Sequence, residues 1–204
     1  MAADQEKQLW REKDGRAWRI GGDGDVAWIR DGTDIGPEIT SAIPPLFEAY
    51  ATLEEPGTGN LDWQSPREDR ARHDNALLEL LRAHTTPQTW WLGFLQKSDA
   101  TDVIFDDVPK VEIPNSHNFV VVEAGPDQAA SWRAGEHPSG ALPDLMFPKD
   151  RSWLAHTLWD DDWMCLGGPE PLIDALLASP ELGHRAHRIH SMTENITPPG
   201  HTMI

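Results

Sequence analysis

Three histidines recur every third residue near the C-terminal end, His184, His187 and His190, with His201 beyond them. On a helix His184 and His187 would share a face, and an imidazole pair of that kind can hold zinc. The chain offers no His-Glu-x-x-His pattern and no cysteine close by, while Arg185 and Arg188 intervene. A basic last turn that complements a helix dipole explains the same residues, so no metal or other cofactor is expected. His156 and Asp160 are the pair best placed for acid–base chemistry. They would lie on one face of an extended segment, where a carboxylate can orient an imidazole. The competing reading is a core histidine between Leu154 and Leu158, satisfied by one hydrogen bond.

Other reactive groups carry less. Asp160, Asp161 and Asp162 gather three carboxylates, but neighbouring side chains point in alternating directions and do not converge on one cation; a solvated hairpin tip is the simpler reading. Asp23-Gly24-Asp25 opens like a calcium loop, yet Ala27 and Trp28 occupy positions that need an oxygen ligand and a turn glycine. Cys165, between Met164 and Leu166, reads as a small core residue rather than an activated thiolate. No Gly-x-Ser-x-Gly elbow, phosphate-binding loop or dinucleotide fingerprint occurs.

The elements that would position these groups follow from periodicity and turn chemistry. Asp14-Gly15 predicts a hairpin joining strands near Leu9–Arg11 and Ala17–Ile20, and Val26–Ile29 reads as a third strand. Pro44-Pro45 opens a predicted helix with Leu46, Phe47, Tyr50, Ala51 and Leu53 on one face. Ser65-Pro66-Arg67-Glu68 is a strong helix start, with the helix running to about His84. Strands are expected over 89–95, 103–105 and 118–123, a short helix over 126–133, and a hairpin over 152–168. In that hairpin Thr157 faces Cys165 and Trp159 faces Trp163 across a three-residue loop. Helices over 169–178 and 180–189 complete the pattern. The fold class is α+β: a single domain over 1–190, with a mostly antiparallel sheet of about five to seven strands covered by about four helices. Residues 1–30 form a hairpin region packed on it, and 191–204 a loose tail.

Composition bounds the partners. Of 204 residues, 34 are acidic and 17 basic, a formal charge of -17; residues 1–30 sum to zero and residues 31–204 carry all of the acidic excess. Such a field repels phosphate backbones and anionic membranes and attracts cationic proteins. One cysteine, no leader-like apolar segment and no run approaching the roughly 18 apolar residues of a membrane span point to a soluble, cytoplasmic setting. Ten tryptophans are present. Trp90, Trp91, Trp153, Trp159 and Trp163 fall in predicted strands and should build core. Trp10, Trp18, Trp28, Trp63 and Trp132 fall near ends or loops, where exposed aromatics beside carboxylates suit a protein interface.

In this profile of strong negative charge, abundant tryptophan and no catalytic signature, the chain resembles the small acidic α+β immunity proteins that neutralise bacterial toxins. The resemblance implies a binding protein that engages a basic protein as an inhibitor or immunity factor. The pairing of aromatics with carboxylates makes Trp63, Trp132, Trp159, Asp160, Asp161, Asp162 and Trp163 the candidate contact residues. Two other classes fit: an enzyme or small-ligand binder with a tryptophan-walled pocket using His156 and Asp160, and a DNA-mimicking inhibitor with carboxylates spaced like phosphates.

Overall fold

The computed structural model describes residues 8–56, 67–96, 104–113, 117–133, 142–158 and 161–198. Strands β1 (Leu9–Lys13) and β2 (Arg16–Ile20) form the expected hairpin, with Asp14 and Gly15 both at positive φ, 56° and 72°. An Asp-Gly turn of this handedness matches the twist of the flanking strands. The chain continues through helix α1 (Asp23–Arg30), β3 (Ala49–Glu54), α2 (Arg67–Ala83), β4 (Trp90–Leu95), β5 (Val111–Ile113) and β6 (His117–Ala124). It ends with α3 (Pro126–Ser131), β7 (Leu145–Pro148), β8 (Leu154–Thr157), β9 (Trp163–Gly168), α4 (Glu170–Ala178) and β10 (Ala186–Ile189).

The architecture is α+β around one large antiparallel sheet. Its order is β1-β2-β6-β4-β7-β8-β9-β3-β10, with β5 also paired to β6. The described residues form ten strands, more than the five to seven expected. Both faces of the sheet are covered, which accounts for the difference. Helices α2, α3 and α4 pack on one face, over Trp90, Leu92, Phe94, Val120 and Val122. Helix α1 and the segment around Ile39 and Ile43 cover the other, over Trp91, Phe119, Val121 and Leu145. Strands buried on two sides become continuous apolar runs, and the period-two signature that marks a strand is lost.

Four elements depart from expectation. The strand read over 103–105 does not form in its described part, where Ile104 and Phe105 lie in a bend and an irregular segment and the next strand is β5. The segment read as a helix from Pro44 is β3 instead, paired to β9 over six residues and to β10 over four. Its apolar spacing suits a helix, but Ala49, Ala51 and Leu53 face one core and Tyr50 the other. The segment read as a helix over 180–189 is a turn followed by β10. Gly183 N–H bonds Ser179 O at 2.8 Å, and β10 then completes the sheet edge beside β3. Val26–Ile29, read as a strand, lies in α1. Here the Asp25 carboxylate accepts the Gly22 N–H at 2.9 Å, two aspartates occupy the first turn, and Val26 and Ile29 share the buried face.

The β8–β9 hairpin forms with its register one residue from the expected one: Thr157 faces Met164 and His156 faces Cys165. A one-residue slip moves a strand's side chains to the opposite face, so Trp163 and Cys165 lie in the α1-side core with Leu154. Part of the expected tail is also tied down. Ile39 N–H bonds Glu194 O at 3.3 Å, Ile196 N–H bonds Pro37 O at 2.9 Å, and Ile196 is fully buried.

At the sheet centre the backbone of Gly93 faces Leu145, and a Cβ there would sit 2.7 Å from Leu145 Cβ. Gly93→Ala should lower stability by about 1–3 kcal/mol through overpacking. A shifted urea midpoint at constant m-value reads this directly.

Candidate functional site

Four of the expected contact residues, Trp132, Asp161, Asp162 and Trp163, are among the described residues. Trp159, Asp160 and Trp63 lie outside the described residues. Asp161 and Asp162 are half-buried, and Trp163 is buried. Trp132, expected near the surface, is buried as well: its indole N–H donates to Asp14 Oδ2 at 2.8 Å and its ring meets Trp18 edge-on at 5.1 Å. Trp18, also expected near the surface, is buried with it. Trp10 keeps 51% of its surface exposed.

His156 is fully buried, with Nδ1 2.8 Å from Ala42 O and the ring against Phe119. Burial holds its pKa down to about 4, partly offset by the Ala42 carbonyl and Asp144. This is the core arrangement rather than a pocket floor. Cys165, facing it across the hairpin, has its thiol pushed up by burial, so it is poorly suited to nucleophilic chemistry. His184 is exposed on the turn, while His187 lies in β10 with Nε2 3.5 Å from Glu194 Oε1. The helical face that would have paired them does not form. No cluster of three metal-ligating side chains occurs among the described residues.

A polar pocket lies instead between α2 and the sheet, enclosing about 40 Å³ of water-sized space. Glu55 at the end of β3, Arg70, His73 and Asp74 on α2, Arg133 after α3, Asp144 before β7 and Thr157 at the end of β8 line it. Arg70 donates to Glu55 Oε2 at 2.9 Å and to Pro56 O at 3.1 Å. Arg133 donates to Asp144 Oδ2 at 2.8 Å, and the same oxygen accepts Leu95 N–H at 2.8 Å. Burial raises the pKa of Glu55 against the pull of Arg70, and Asp144 and Asp162 add to the rise.

His73 is 4% exposed, and its Nδ1 is buried with no hydrogen-bond partner among the described residues. Burial, followed by the charges of Arg185 and Arg70, holds its pKa at about 4. Sequence reasoning missed it, although a signal was present. His73 and Asp74 stand one turn before Leu77 and Leu78, so helical spacing places both on the buried face.

A second feature lies on the other side of the sheet. The segments 31–36 and 43–48 meet where a Cβ on Gly32 would touch Pro44 Cβ at 2.9 Å. They carry two of the most exposed large apolar side chains, Ile35 at 88% and Leu46 at 68%. Asp31, Asp34 and Glu48 are exposed on the same segments. From residue 31 to residue 66 the chain has seven acidic side chains and no lysine, arginine or histidine. A wider, open concavity beside α1 is lined by Asp23, Arg30, Lys110, Glu112 and Asn118. Neither it nor the α2 pocket has tryptophan in its lining.

No protein-family model, curated protein or solved structure matches the chain. None of the described helices is long and apolar enough to cross a membrane.

Proposed function

We propose that the protein is a cytoplasmic binding protein that engages a basic protein partner, as an inhibitor or toxin-immunity factor does. One observation carries this reading: Ile35 and Leu46 stand exposed on touching segments within an acidic stretch that contains no cation. Apolar anchors supply affinity once water is excluded from them, and surrounding carboxylates steer a cationic partner and exclude acidic ones. The overall charge of -17 acts in the same direction at longer range. Trp28, edge-on to Phe47 at 6.4 Å and to Phe147 at 5.3 Å, provides a stiff floor beneath the Leu46–Phe47 segment. Two cations border this surface: Arg151, whose guanidinium lies 5.2 Å over the Trp28 ring, and Arg30, paired with Asp31 at 3.1 Å.

The test is capture of the partner from host lysate, followed by affinity measurement with the purified pair. Replacing Ile35 and Leu46 together by serine removes the anchors without altering charge, and both are exposed enough to leave folding intact. Loss of about tenfold or more in affinity is expected, since buried anchor residues cost more than 1 kcal/mol on truncation. The on-rate should fall as salt rises. Full affinity in the double variant, or an on-rate indifferent to ionic strength, would remove this reading.

A further inference from the structure

Ile35 stands on a loop that few bonds hold in shape. Asp34 N–H bonds Thr40 O at 2.9 Å and closes its base. Among the described residues, the backbone bonds that tie residues 35–39 to anything beyond residue 43 both run to one segment. Ile39 N–H donates to Glu194 O at 3.3 Å, and Ile196 N–H donates to Pro37 O at 2.9 Å. Glu38 and Asn195 thereby form an isolated antiparallel bridge. We propose that residues 190–198 are a strap that holds the Ile35 loop in the shape a partner meets, and that the strap and residues 37–39 separate as one local unit while the sheet stays folded. The consequence for binding rests on Ile35 and Leu46 being the contact residues.

Side chains anchor the far end of the strap. Ile196 is fully buried in the α1-side core that also takes Ile39, Met192 packs against that core, and Pro198 is buried. The near end continues from β10, where Ile189 pairs with Tyr50 of β3. The Tyr50 hydroxyl accepts Phe47 N–H at 2.9 Å, next to Leu46. One run of chain, 186–198, is therefore linked to both segments that carry the exposed anchors, directly at Pro37 and Ile39 and through Tyr50 at Phe47. The turn within it is closed locally: Glu194 N–H donates to Ser191 O at 3.0 Å, and the Glu194 carboxylate accepts His190 N–H at 2.7 Å.

Two backbone bonds, Ile196 and Pro198 are a small hold beside that of a sheet strand. β3 pairs with β9 over six residues and with β10 over four, whereas Ser191, Thr193 and Asn195 on the strap are exposed. Segments with few buried contacts and exposed backbone bonds open at lower free energy than the core. Both bonds join the same pair of segments, so breaking one weakens the other. Release leaves the Ile35 loop with its base bond, and reordering it on binding then costs affinity. A ligand that takes the ordered loop in turn holds the strap down.

Native-state hydrogen exchange on the full chain, followed residue by residue at low urea, tests this without a partner. Its failure would count against the strap alone, since the contact residues stand or fall on the Ile35–Leu46 double variant. The Ile39 and Ile196 amides are expected to share one opening constant, larger than that of the paired Leu92 and Val122 at the sheet centre and indifferent to urea. Ile196→Ser should raise the exchange rate at Ile39 by about tenfold or more, the effect of emptying a buried aliphatic site. It should also move the amide signals of Ile35 and Gly36 while those of Leu92 and Val122 stay in place, and Ile196→Val should keep most of the protection. Three results would each overturn the proposal: exchange of Ile39 and Ile196 only together with the sheet amides, opening of Ile196 while Ile39 stays protected, or unmoved Ile35 and Gly36 signals in folded Ile196→Ser. The wild-type exchange decides this even if Ile196→Ser fails to fold.

Discussion

Acidifying the protein from neutrality to about pH 4 should remove on the order of 6 kcal/mol of its stability, most of what a typical domain possesses. The cause is two buried imidazoles, His73 and His156, each with its pKa lowered from 6.5 to about 4, chiefly by burial. In the unfolded chain both rings protonate near 6.5. In the folded chain they stay neutral until about 4. Between those values the unfolded state binds more protons, so stability falls as pH falls. The contribution is fully present above 6.5, and each ring supplies roughly 3 kcal/mol of it.

The carboxylates act elsewhere on the pH scale or in the opposite sense. Asp69, Asp150, Glu123 and Glu194 are held below their ordinary values, so their contribution is lost mainly at lower pH. Glu55, raised by burial, gains relief on protonation and opposes the trend weakly. Urea titrations across this range should show a falling midpoint with little change in slope. His156→Leu should unfold more easily at neutral pH, because the Ala42 carbonyl loses its partner, but its pH dependence should be about half that of the wild type, so the difference shrinks as pH falls. A midpoint that does not move between neutrality and pH 4 would falsify the neutral burial of both rings.

Local chemistry was legible wherever it was self-contained. The Asp14-Gly15 turn demands positive φ at two consecutive positions, and it has it. The apolar stripe of α2 through Leu77 and Leu81 and that of α4 through Leu172, Ile173 and Leu176 are buried as spacing requires. Long-range pairing was not legible. β3 reads as a helix because a strand sandwiched between two cores has no polar side to betray its period, whereas β10, a short and partly exposed edge strand, follows a Ser179-Pro180 pair that resembles a helix start. The hairpin register depended on interactions that no local pattern encodes, among them the bond from Thr157 N–H to Asp144 O at 2.8 Å. The α2 pocket was hidden for a related reason. Its carboxylates and guanidiniums come from segments scattered between Glu55 and Asp144, joined only by the folded sheet. By contrast, the cation-free stretch from residue 31 to residue 66 could have been found by counting.

Trp153→Ala should destabilise the protein by about 3–5 kcal/mol, the loss expected for emptying a fully buried aromatic site. Trp153 is completely inaccessible, sits edge-on to Trp90 at 4.9 Å, and donates its indole N–H to Thr85 Oγ1 at 2.7 Å. The substitution therefore opens a cavity, breaks an aromatic pair and leaves Thr85 without that donor. Trp153→Phe should recover part of the loss by refilling volume, but not the hydrogen bond. Trp10→Ala is the control: on edge strand β1 and half exposed, it should shift stability by no more than about 0.5 kcal/mol. The contrast bears on function. Trp18, Trp90, Trp91, Trp132, Trp153 and Trp163 are all buried, so most of the tryptophan content holds two cores together and is not available to a partner. A truncation among these six that abolished binding would do so by unfolding, and its loss would track the urea midpoint. Ile35 and Leu46 should lose binding with no such shift, and that separation distinguishes a contact surface from the scaffold beneath it.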